Sequence, residues 1–251
     1  MRRWWLALCV VASLGAASDT RRSGFDFMTP ETQAIQRDDA QNPAMLWVQE
    51  GSAAWERKSG GAGRACIDCH GAASTSMKGV AARYPAFDAA ARGPITLSQR
   101  INACVVGRQG AAPLAAESQE LLALESFVAM QSRGLPIAPP SDPRLVPFRE
   151  RGEKLYRQRI GQLDLSCAQC HDERAGGRLA GATIPQAHPT GYPIYRLEWQ
   201  GLGSLQRRLR GCISGVRAEP FSYGAVELTE LELYLAQRAA GMKIETPAVR
   251  P

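Results

Sequence analysis

The chain has 251 residues, of which 45% are hydrophobic and 22% charged, and its formal net charge is +6. This length allows one large domain or two smaller ones, each with its own core. The chain has no basic run interleaved with aromatic residues, which argues against nucleic-acid binding. The mildly basic balance suits anionic partners.

The N-terminus has the pattern of a secretory signal peptide. Charged Met1–Arg3 precedes an apolar run, Trp4–Leu14, and the small residues Gly15–Ala17 follow. Such a segment is too short to anchor the chain in a bilayer and is removed on export. We therefore expect a signal peptide at 1–17 and a periplasmic protein without a membrane anchor. Six of the seven cysteines would remain in the mature chain, since Cys9 lies in this segment.

Two C-x-x-C-H pentapeptides, Cys66–His70 and Cys167–His171, predict covalent haem attachment. In this motif two thiols form thioether bonds to the haem, and the histidine ligates the iron. A zinc ribbon is the alternative, but it needs four ligands per site and leaves both histidines without a role. We therefore predict two covalently bound haem c groups. Their cysteine anchors would be Cys66, Cys69, Cys167 and Cys170, and their histidine ligands His70 and His171.

The two haem motifs lie in two similar halves of the chain. Four pairs of residues keep the same spacing to a haem motif or to a later cysteine in both halves. The pairs are Gly51 and Gly152, Trp55 and Tyr156, Tyr84 and Tyr192, and Arg100 and Arg208. The halves differ in length by a seven-residue insertion within 172–191. We predict a mostly α fold with two tandem cytochrome c-type domains, 25–135 and 147–243, related by this internal repeat.

Apolar periodicity predicts one helix before each haem motif and one at the end of each half. These helices are expected at 43–58, 118–132, 147–159 and 227–239. Gly134 and Gly241 would end the two closing helices. The proline-rich segment 134–143 is expected to be a stiff linker between the domains.

Each half has one further cysteine, Cys104 or Cys212, at an equivalent position. An electron-transfer haem usually has a second axial ligand, and the matched positions favour these two thiolates. Methionine is the ordinary choice, but Met77, Met130 and Met242 occupy unmatched positions. A disulfide between the two cysteines is the other alternative, favoured by export. It would bridge separately folded halves and leave both irons without a matched ligand.

The second half carries more positive charge near its extra cysteine. Around Cys212 the sequence places four arginines: Arg207, Arg208, Arg210 and Arg217. Positive charge favours the thiolate, and guanidinium groups bind small dianions such as sulfur oxyanions. Arg208 has the alternative of pairing with a haem propionate, because Arg100 is its counterpart. Arg207 and Arg210 have the alternative of lying on exposed helix faces.

Two residues of the second half have no equivalent in the first. Arg238, in the closing helix, aligns with Gln131 and is a candidate for function. His188 lies in the insertion, where it could serve as an iron ligand or a proton carrier. A histidine bordered by prolines in a loop is more often a surface residue.

With these residues the chain resembles the dihaem A subunit of the sulfur-oxidising Sox cytochrome complex, an L-cysteine S-thiosulfotransferase. The resemblance covers nearly the whole mature chain, including both haem motifs, Cys104, Arg208–Cys212 and Val216–Pro220. It implies a periplasmic subunit that joins thiosulfate to a cysteine of a sulfur-carrier protein and passes two electrons to haem. It also implies a heterodimer with a small monohaem cytochrome c, and a downstream cytochrome c as electron acceptor.

The resemblance further implies the roles of individual residues. Cys212 would be the catalytic sulfur, carried as a persulfide, and the distal ligand of the second haem opposite His171. Arg208 would bind the substrate, and Arg238 would be an active-site arginine. His70 and Cys104 would ligate the first haem, which some members of the family have lost.

Two other functions fit parts of the sequence. A non-enzymatic dihaem electron carrier would use Cys104 and Cys212 as equivalent ligands, without sulfur chemistry. A dihaem peroxidase would need an iron with an open or displaceable histidine side, for which His188 is the candidate.

Overall fold

The computed structural model describes residues 19–179 and 181–251, so the expected signal peptide lies outside the described residues. The described chain is mostly helical. Its α-helices are α1 (Pro30–Arg37), α2 (Met45–Glu56), α3 (Cys66–His70), α4 (Ala73–Ser76), α5 (Leu97–Cys104), α6 (Gln119–Met130), α7 (Val146–Arg157), α8 (Cys167–His171), α9 (Leu205–Gly215) and α10 (Val226–Arg238). Shorter 3₁₀ helices are Gly24–Phe27, Ala81–Arg83 and Pro143–Leu145, and Val105–Gln109 is a π-helix. The strands are β1 (Ala86–Asp88), β2 (Gly93–Ile95), β3 (Arg178–Leu179), β4 (Ala182–Thr183), β5 (Ile194–Arg196), β6 (Gly201–Gly203) and β7 (Ala248–Arg250).

The four helices expected from periodicity are confirmed as α2, α6, α7 and α10. Side-chain caps fix the start of several helices. Ser118 caps α6 by accepting a hydrogen bond from the backbone N–H of Leu121, and Ser204 caps α9 in the same way for Arg207. Such caps satisfy backbone donors that have no partner within the helix. None of the helices in 19–179 and 181–251 is long and apolar enough to cross a membrane.

The internal repeat is visible in how the helices pack. In the first half α2 lies against α6, and in the second half α7 lies against α10. A Cβ atom on Gly51 would lie 2.1 Å from the carbonyl oxygen of Ala123, and one on Gly152 would lie 2.1 Å from that of Glu230. Glycine therefore allows the same close helix crossing in both halves.

Each half has its own apolar core beside its haem motif. The first core contains Trp55, Leu97 and Val128, and the second contains Tyr156 and Leu235 at positions equivalent to Trp55 and Val128. Burial of these side chains drives the packing of the helices around the two haem motifs.

Three segments depart from the repeat. The first half has the π-helix Val105–Gln109 directly after Cys104, which takes up one more residue than the matching turn after Cys212. The insertion in the second half forms the β3–β4 hairpin. β7 pairs in parallel with β5, so the second half has a three-stranded sheet where the first half has only β1 and β2.

The N-terminal segment 19–42 packs on the second half of the chain. Arg21 donates hydrogen bonds to the carbonyl oxygens of Arg238 and Ala240, and Asn42 donates one to that of Pro247. We propose the domain bounds 25–135 and 147–243, with the N-terminal segment 19–42 as a strap that ties the first domain to the second.

The expected linker is paired with the end of the second half. Gly134 N–H donates to the carbonyl of Ile244 and Ile137 N–H to that of Met242, both at 2.8 Å. Ile244 N–H donates back to the carbonyl of Leu135 at 2.9 Å. These backbone bonds fix the two halves relative to each other.

A cavity of about 310 Å³ lies between the halves. Equivalent residues of the closing helices, Glu125 of α6 and Glu232 of α10, line it together with Glu117. The Oε2 atom of Glu125 is buried without a hydrogen-bond partner among the described residues, whereas Glu232 accepts a bond from Gln206 at 2.8 Å. Burial, with the negative charges of Glu232 and Glu117, raises the pKa of Glu125 to about 8.

Candidate functional site

Cys212 lies on α9 within hydrogen-bonding reach of His171, the histidine of the second haem motif. Arg208 is one helical turn before Cys212, so both side chains leave the same face of α9. The structure thus brings together three predicted site residues from two distant parts of the sequence.

The positive charges of Arg208 and Arg196 act on the Cys212 sulfur. Burial acts to raise the pKa of the thiol, but the hydrogen bond with His171 and the positive charges of Arg208 and Arg196 outweigh burial. The pKa of Cys212 is therefore lowered. A thiol in this environment is a better nucleophile and a better metal ligand.

On the His171 side, a polar network fixes the imidazole and its surroundings. The Nδ1 atom of His171 lies 2.7 Å from the carbonyl oxygen of Pro185, so Nδ1–H donates a hydrogen bond to that oxygen. The lone pair of Nε2 is therefore free to bind a metal. The Tyr156 hydroxyl donates to Asp172 at 2.8 Å. Arg238 forms an ion pair with Asp172 at 2.6 Å, and its guanidinium lies 4.7 Å from the ring centroid of Tyr156.

Arg238 is therefore placed beside the haem motif itself. Its contacts are with Tyr156, Asp172 and the carbonyl oxygen of Gln186, 3.3 Å away. Arg208, by contrast, acts directly on Cys212. The two predicted arginines thus serve different parts of the site.

The first half repeats the arrangement with different polar groups. Trp55 donates from Nε1 to the carbonyl of Gly71 at 3.1 Å, and its ring centroid is 5.7 Å from that of His70. Cys104 lies near Cys66: burial, followed by the charge of Cys104, raises the pKa of Cys66. Cys104 is thus near the first haem motif, as Cys212 is near the second.

The remaining predicted arginines have local partners on α9. Arg207 lies over the ring of Trp199 at 4.2 Å, and Arg210 lies over that of Tyr223 at 4.5 Å. Both arginines are half-buried against aromatic rings. They therefore make cation–π contacts and do not lie on a fully exposed helix face. Arg217 adopts a left-handed backbone conformation after α9.

His188 is held by the N-terminal strap. Its Nδ1 atom lies 2.8 Å from the carbonyl oxygen of Arg22. Burial lowers the pKa of His188. The neutral form of its ring is therefore favoured. This contact gives His188 a structural role in joining the insertion to the strap.

No two of the six cysteines of the described residues form a disulfide, which argues against the alternative of a Cys104–Cys212 disulfide. Met77 packs in the first core beside Cys66, and Met242 packs between the halves with Ala82 and Ile137. The latter position explains why Met242 has no counterpart in the repeat.

The donor set fits covalently bound haem c. Two pairs of thiols lie in the short helices α3 and α8, an imidazole with an oriented Nδ1 ends α8, and the Cys212 sulfur lies close to that imidazole. The cysteine pairs Cys66 with Cys69 and Cys167 with Cys170 would hold the porphyrins, and His70 and His171 would ligate the irons.

Sequence reasoning missed Arg196 and Pro185. Arg196 is on β5, sixteen residues before Cys212, and its position aligns with Asp88 in the repeat. That opposite charge at an equivalent position was a usable signal. Pro185 acts through its backbone carbonyl, which no residue pattern reveals.

These features define a class of protein: a c-type cytochrome with two repeated halves, each carrying a C-x-x-C-H motif, and a further cysteine beside the second motif. A family model described as "SoxA/TsdA, cytochrome c domain" matches residues 50–137 and 151–244. The chain belongs to this family.

Curated relatives define the family member further. The chain is 39% identical to the L-cysteine S-thiosulfotransferase subunit SoxA of Rhodovulum sulfidophilum, covering 95% of this chain and 83% of the relative. It is equally similar to the subunit of the same name from Pseudaminobacter salicylatoxidans, at 39% identity over 94% of this chain and 83% of the relative. The predicted class of enzyme, an L-cysteine S-thiosulfotransferase subunit of the Sox type, is confirmed.

A solved structure shows the same fold. The crystal structure of SoxXA from P. pantotrophus matches with a TM-score of 0.88 at 34% identity, covering 92% of this chain and 87% of that chain. The predicted fold class, mostly α with tandem cytochrome c-type domains, is confirmed. The chain is thus a cytochrome of thiosulfate metabolism with covalently bound haem c.

Proposed function

We propose that this chain conjugates thiosulfate to a cysteine of a sulfur-carrier protein in the periplasm. It would carry two haem c groups and form a heterodimer with a small monohaem cytochrome c. A downstream cytochrome c would accept the electrons. The activity for which the relatives are named supports the reaction, and the SoxXA structure supports a two-subunit assembly.

The observation that carries the proposal is the surroundings of Cys212. Its sulfur lies within reach of His171 and beside the Arg208 guanidinium. A sulfur nucleophile, an anion-binding group and a haem-ligating histidine therefore meet at one place. A plain electron carrier needs the histidine but not the arginine.

The proposed reaction forms one S–S bond, between the terminal sulfur of thiosulfate and the carrier cysteine. The carrier thiol loses one proton, and two electrons leave the pair of sulfur atoms. Haem c, when bound, supplies the one-electron redox chemistry that accepts them. The chain's own residues bind the anion, hold the sulfur and orient the histidine.

We assign the individual roles as follows. Cys212 is the catalytic sulfur, carrying a persulfide, and with His171 it would hold the iron of the second haem. Arg208 binds thiosulfate by charge-assisted hydrogen bonds, which offset the repulsion between the dianion and an anionic sulfur. Arg238 acts as a positioning residue through Asp172 and Tyr156. Cys104, with His70, would hold the iron of the first haem.

The first test is the substitution Cys212→Ala in the mature, haem-bearing protein. We expect loss of thiosulfate conjugation, assayed with the carrier protein and the monohaem partner, because the variant lacks the reacting sulfur. The matched control is Ser214→Ala, an exposed change on the same helix. It should keep full activity.

Mass spectrometry separates the proposal from its rivals. The intact chain should carry two haem masses, and the Cys212 peptide, isolated without reductant, should carry one additional sulfur atom. Retained conjugation by Cys212→Ala, or a bare Cys212 in active protein, would contradict the catalytic assignment. In that case the electron-carrier function becomes the better account.

A further inference from the structure

The position that Arg196 occupies is held by an acidic residue in the other half. β1 pairs with β2 with Asp88 opposite Gly93, and β5 pairs with β6 with Arg196 opposite Gly201. Both residues end the first strand of a three-residue antiparallel pair. Asp88 and Arg196 are therefore equivalent in the fold as well as in the sequence repeat.

In the first half this position neutralises an arginine. Arg100 lies four residues before Cys104, as Arg208 does before Cys212. The guanidinium of Arg100 forms an ion pair with Asp88 at 2.7 Å. The region beside Cys104 therefore has no excess charge from this pair.

In the second half the acidic partner is replaced by a second cation. Among the residues that the structure describes, no carboxylate lies within ion-pair distance of Arg208. The side chain of Arg196 is only 12% exposed. Because Asp88 contacts Arg100 at the equivalent positions of the first half, the repeat places Arg196 beside Arg208. Burial and the positive charge of Arg208 lower the pKa of Arg196, in agreement with this placement.

One carboxylate reaches Arg196, but from the outer side. Glu198, 51% exposed, contacts the Nε atom of Arg196 at 2.8 Å. The terminal amino groups of Arg196 donate no hydrogen bond within the described part of the chain. One positive charge is thus left over beside Cys212, with N–H donors available. Two neighbouring guanidinium groups repel each other unless an anion lies between them.

We infer that Arg196 and Arg208 together hold the sulfonate oxygens of thiosulfate next to Cys212. Arg196 is then a second substrate-binding residue, and the Asp88-to-Arg196 difference gives the second half its anion specificity. This inference rests on the proposed function and names a residue of the same site. Guanidinium groups suit a tetrahedral oxyanion because each offers several donors in a fixed plane.

The test is thiosulfate binding to the mature, haem-bearing heterodimer, measured by isothermal titration calorimetry. Arg196→Asp recreates the acidic residue of the first half, and should weaken binding at least about tenfold by pairing with Arg208 and removing a donor. Arg196→Lys, which keeps the charge, should lose less. Arg92→Asp is the matched control: it makes the same charge change at an exposed site in the β1–β2 turn, and should bind normally.

Two further readouts exclude a structural effect. KM for thiosulfate should rise in Arg196→Asp and be partly restored in Arg196→Lys, while the haem content stays unchanged. Unchanged thiosulfate affinity in Arg196→Asp would overturn the inference. A shifted midpoint potential of the second haem beside that unchanged affinity would place Arg196 against a haem propionate instead. No saturable binding by the unaltered protein would overturn the inference as well.

The outcomes separate the inference from the proposed function. If the unaltered protein binds thiosulfate through Arg196 but transfers none to the carrier, the proposed reaction fails and the anion site stands. If the unaltered protein transfers thiosulfate and Arg196→Asp binds thiosulfate with the same affinity as the unaltered protein, the proposed reaction stands and the role of Arg196 fails.

Discussion

The two halves of the chain share their packing positions and differ at their polar ones. Gly51 and Gly152 make the same helix crossing, and Trp55 and Tyr156 fill the same place beside a haem motif. Beside Tyr156, however, the second half adds the Asp172–Arg238 ion pair. The two halves therefore share the same core packing, and differences at a few polar positions give each half a different site.

The same contrast holds for the histidines. His171 has its Nδ1 atom fixed by the carbonyl of Pro185, which belongs to the inserted loop. Near His70 the polar contact is made instead by Trp55, to the carbonyl of Gly71. The insertion therefore does more than lengthen the chain, because it orients the imidazole of His171.

The largest effect on stability should come from filling the shared helix crossing. Gly51→Ala and Gly152→Ala each place a Cβ atom 2.1 Å from a backbone oxygen, so the helices must separate. Each should lower the free energy of unfolding by about 2–3 kcal/mol or more. Urea denaturation of the haem-bearing protein measures this change.

Similar losses in both halves would confirm that the crossings are structurally equivalent. Gly61→Ala is the control, since nothing lies within 4 Å of a Cβ atom there. A loss of stability from only one of the two substitutions would show that the two crossings contribute unequally to the free energy of unfolding.

A smaller effect is expected from Arg238→Gln, which introduces the residue found at the equivalent position of the first half. The ion pair with Asp172 is lost, and the unfolding free energy should fall by about 1 kcal/mol. Because Asp172 follows His171 directly and holds Tyr156, turnover should fall about tenfold through loss of positioning.

Arg133→Gln is the control for Arg238→Gln, because Arg133 also forms an ion pair, with Asp39 at 2.7 Å, but away from the haem motifs. Thiosulfate KM should stay constant in Arg238→Gln while kcat falls. A rise in KM at constant kcat would instead place Arg238 in contact with the substrate.

A third expectation concerns the pH dependence of stability and the cavity between the halves. Burial raises the pKa of Glu125 from 4.5 to about 8 and that of Glu232 from 4.5 to about 7. The folded protein therefore keeps protons that the unfolded chain has lost, so its stability falls as pH rises from about 4.5 to about 8. Glu125→Gln should flatten this dependence.

Unfolding midpoints at a series of pH values between about 5 and 8 would measure the effect, with the exposed Glu56→Gln as control. Parallel pH profiles for Glu125→Gln and the unaltered protein would show that Glu125 ionises normally in the fold.

Much of the fold could be predicted because the repeat doubles each observation. Periodicity and equal spacing located four helices, and two occurrences of C-x-x-C-H predict the haem-binding residues. Cys212 and Arg208 were found because they lie one helical turn apart on the same helix. Such relations are local, so the sequence displays them directly.

What was missed depends on contacts between distant segments. The position of Arg196 beside α9 follows from the pairing of β5 with β6, which a three-residue strand barely indicates. The strap 19–42 lies against the C-terminal end of the chain, through contacts such as that of Gln36 with the N–H of Val249 at 3.0 Å. No periodic pattern predicts which surface such a segment will cover.

The backbone pairing of the linker with residues 242–244 predicts how the chain behaves when it is cut into two fragments. Because Leu135 and Ile137 are bonded to the end of the second half, the exposed stretch after them is a covalent connection but not the main attachment. A single proteolytic cut near Ser141 should therefore leave two pieces that remain associated. Separately produced halves, divided at the same point, should then recognise each other and reassemble.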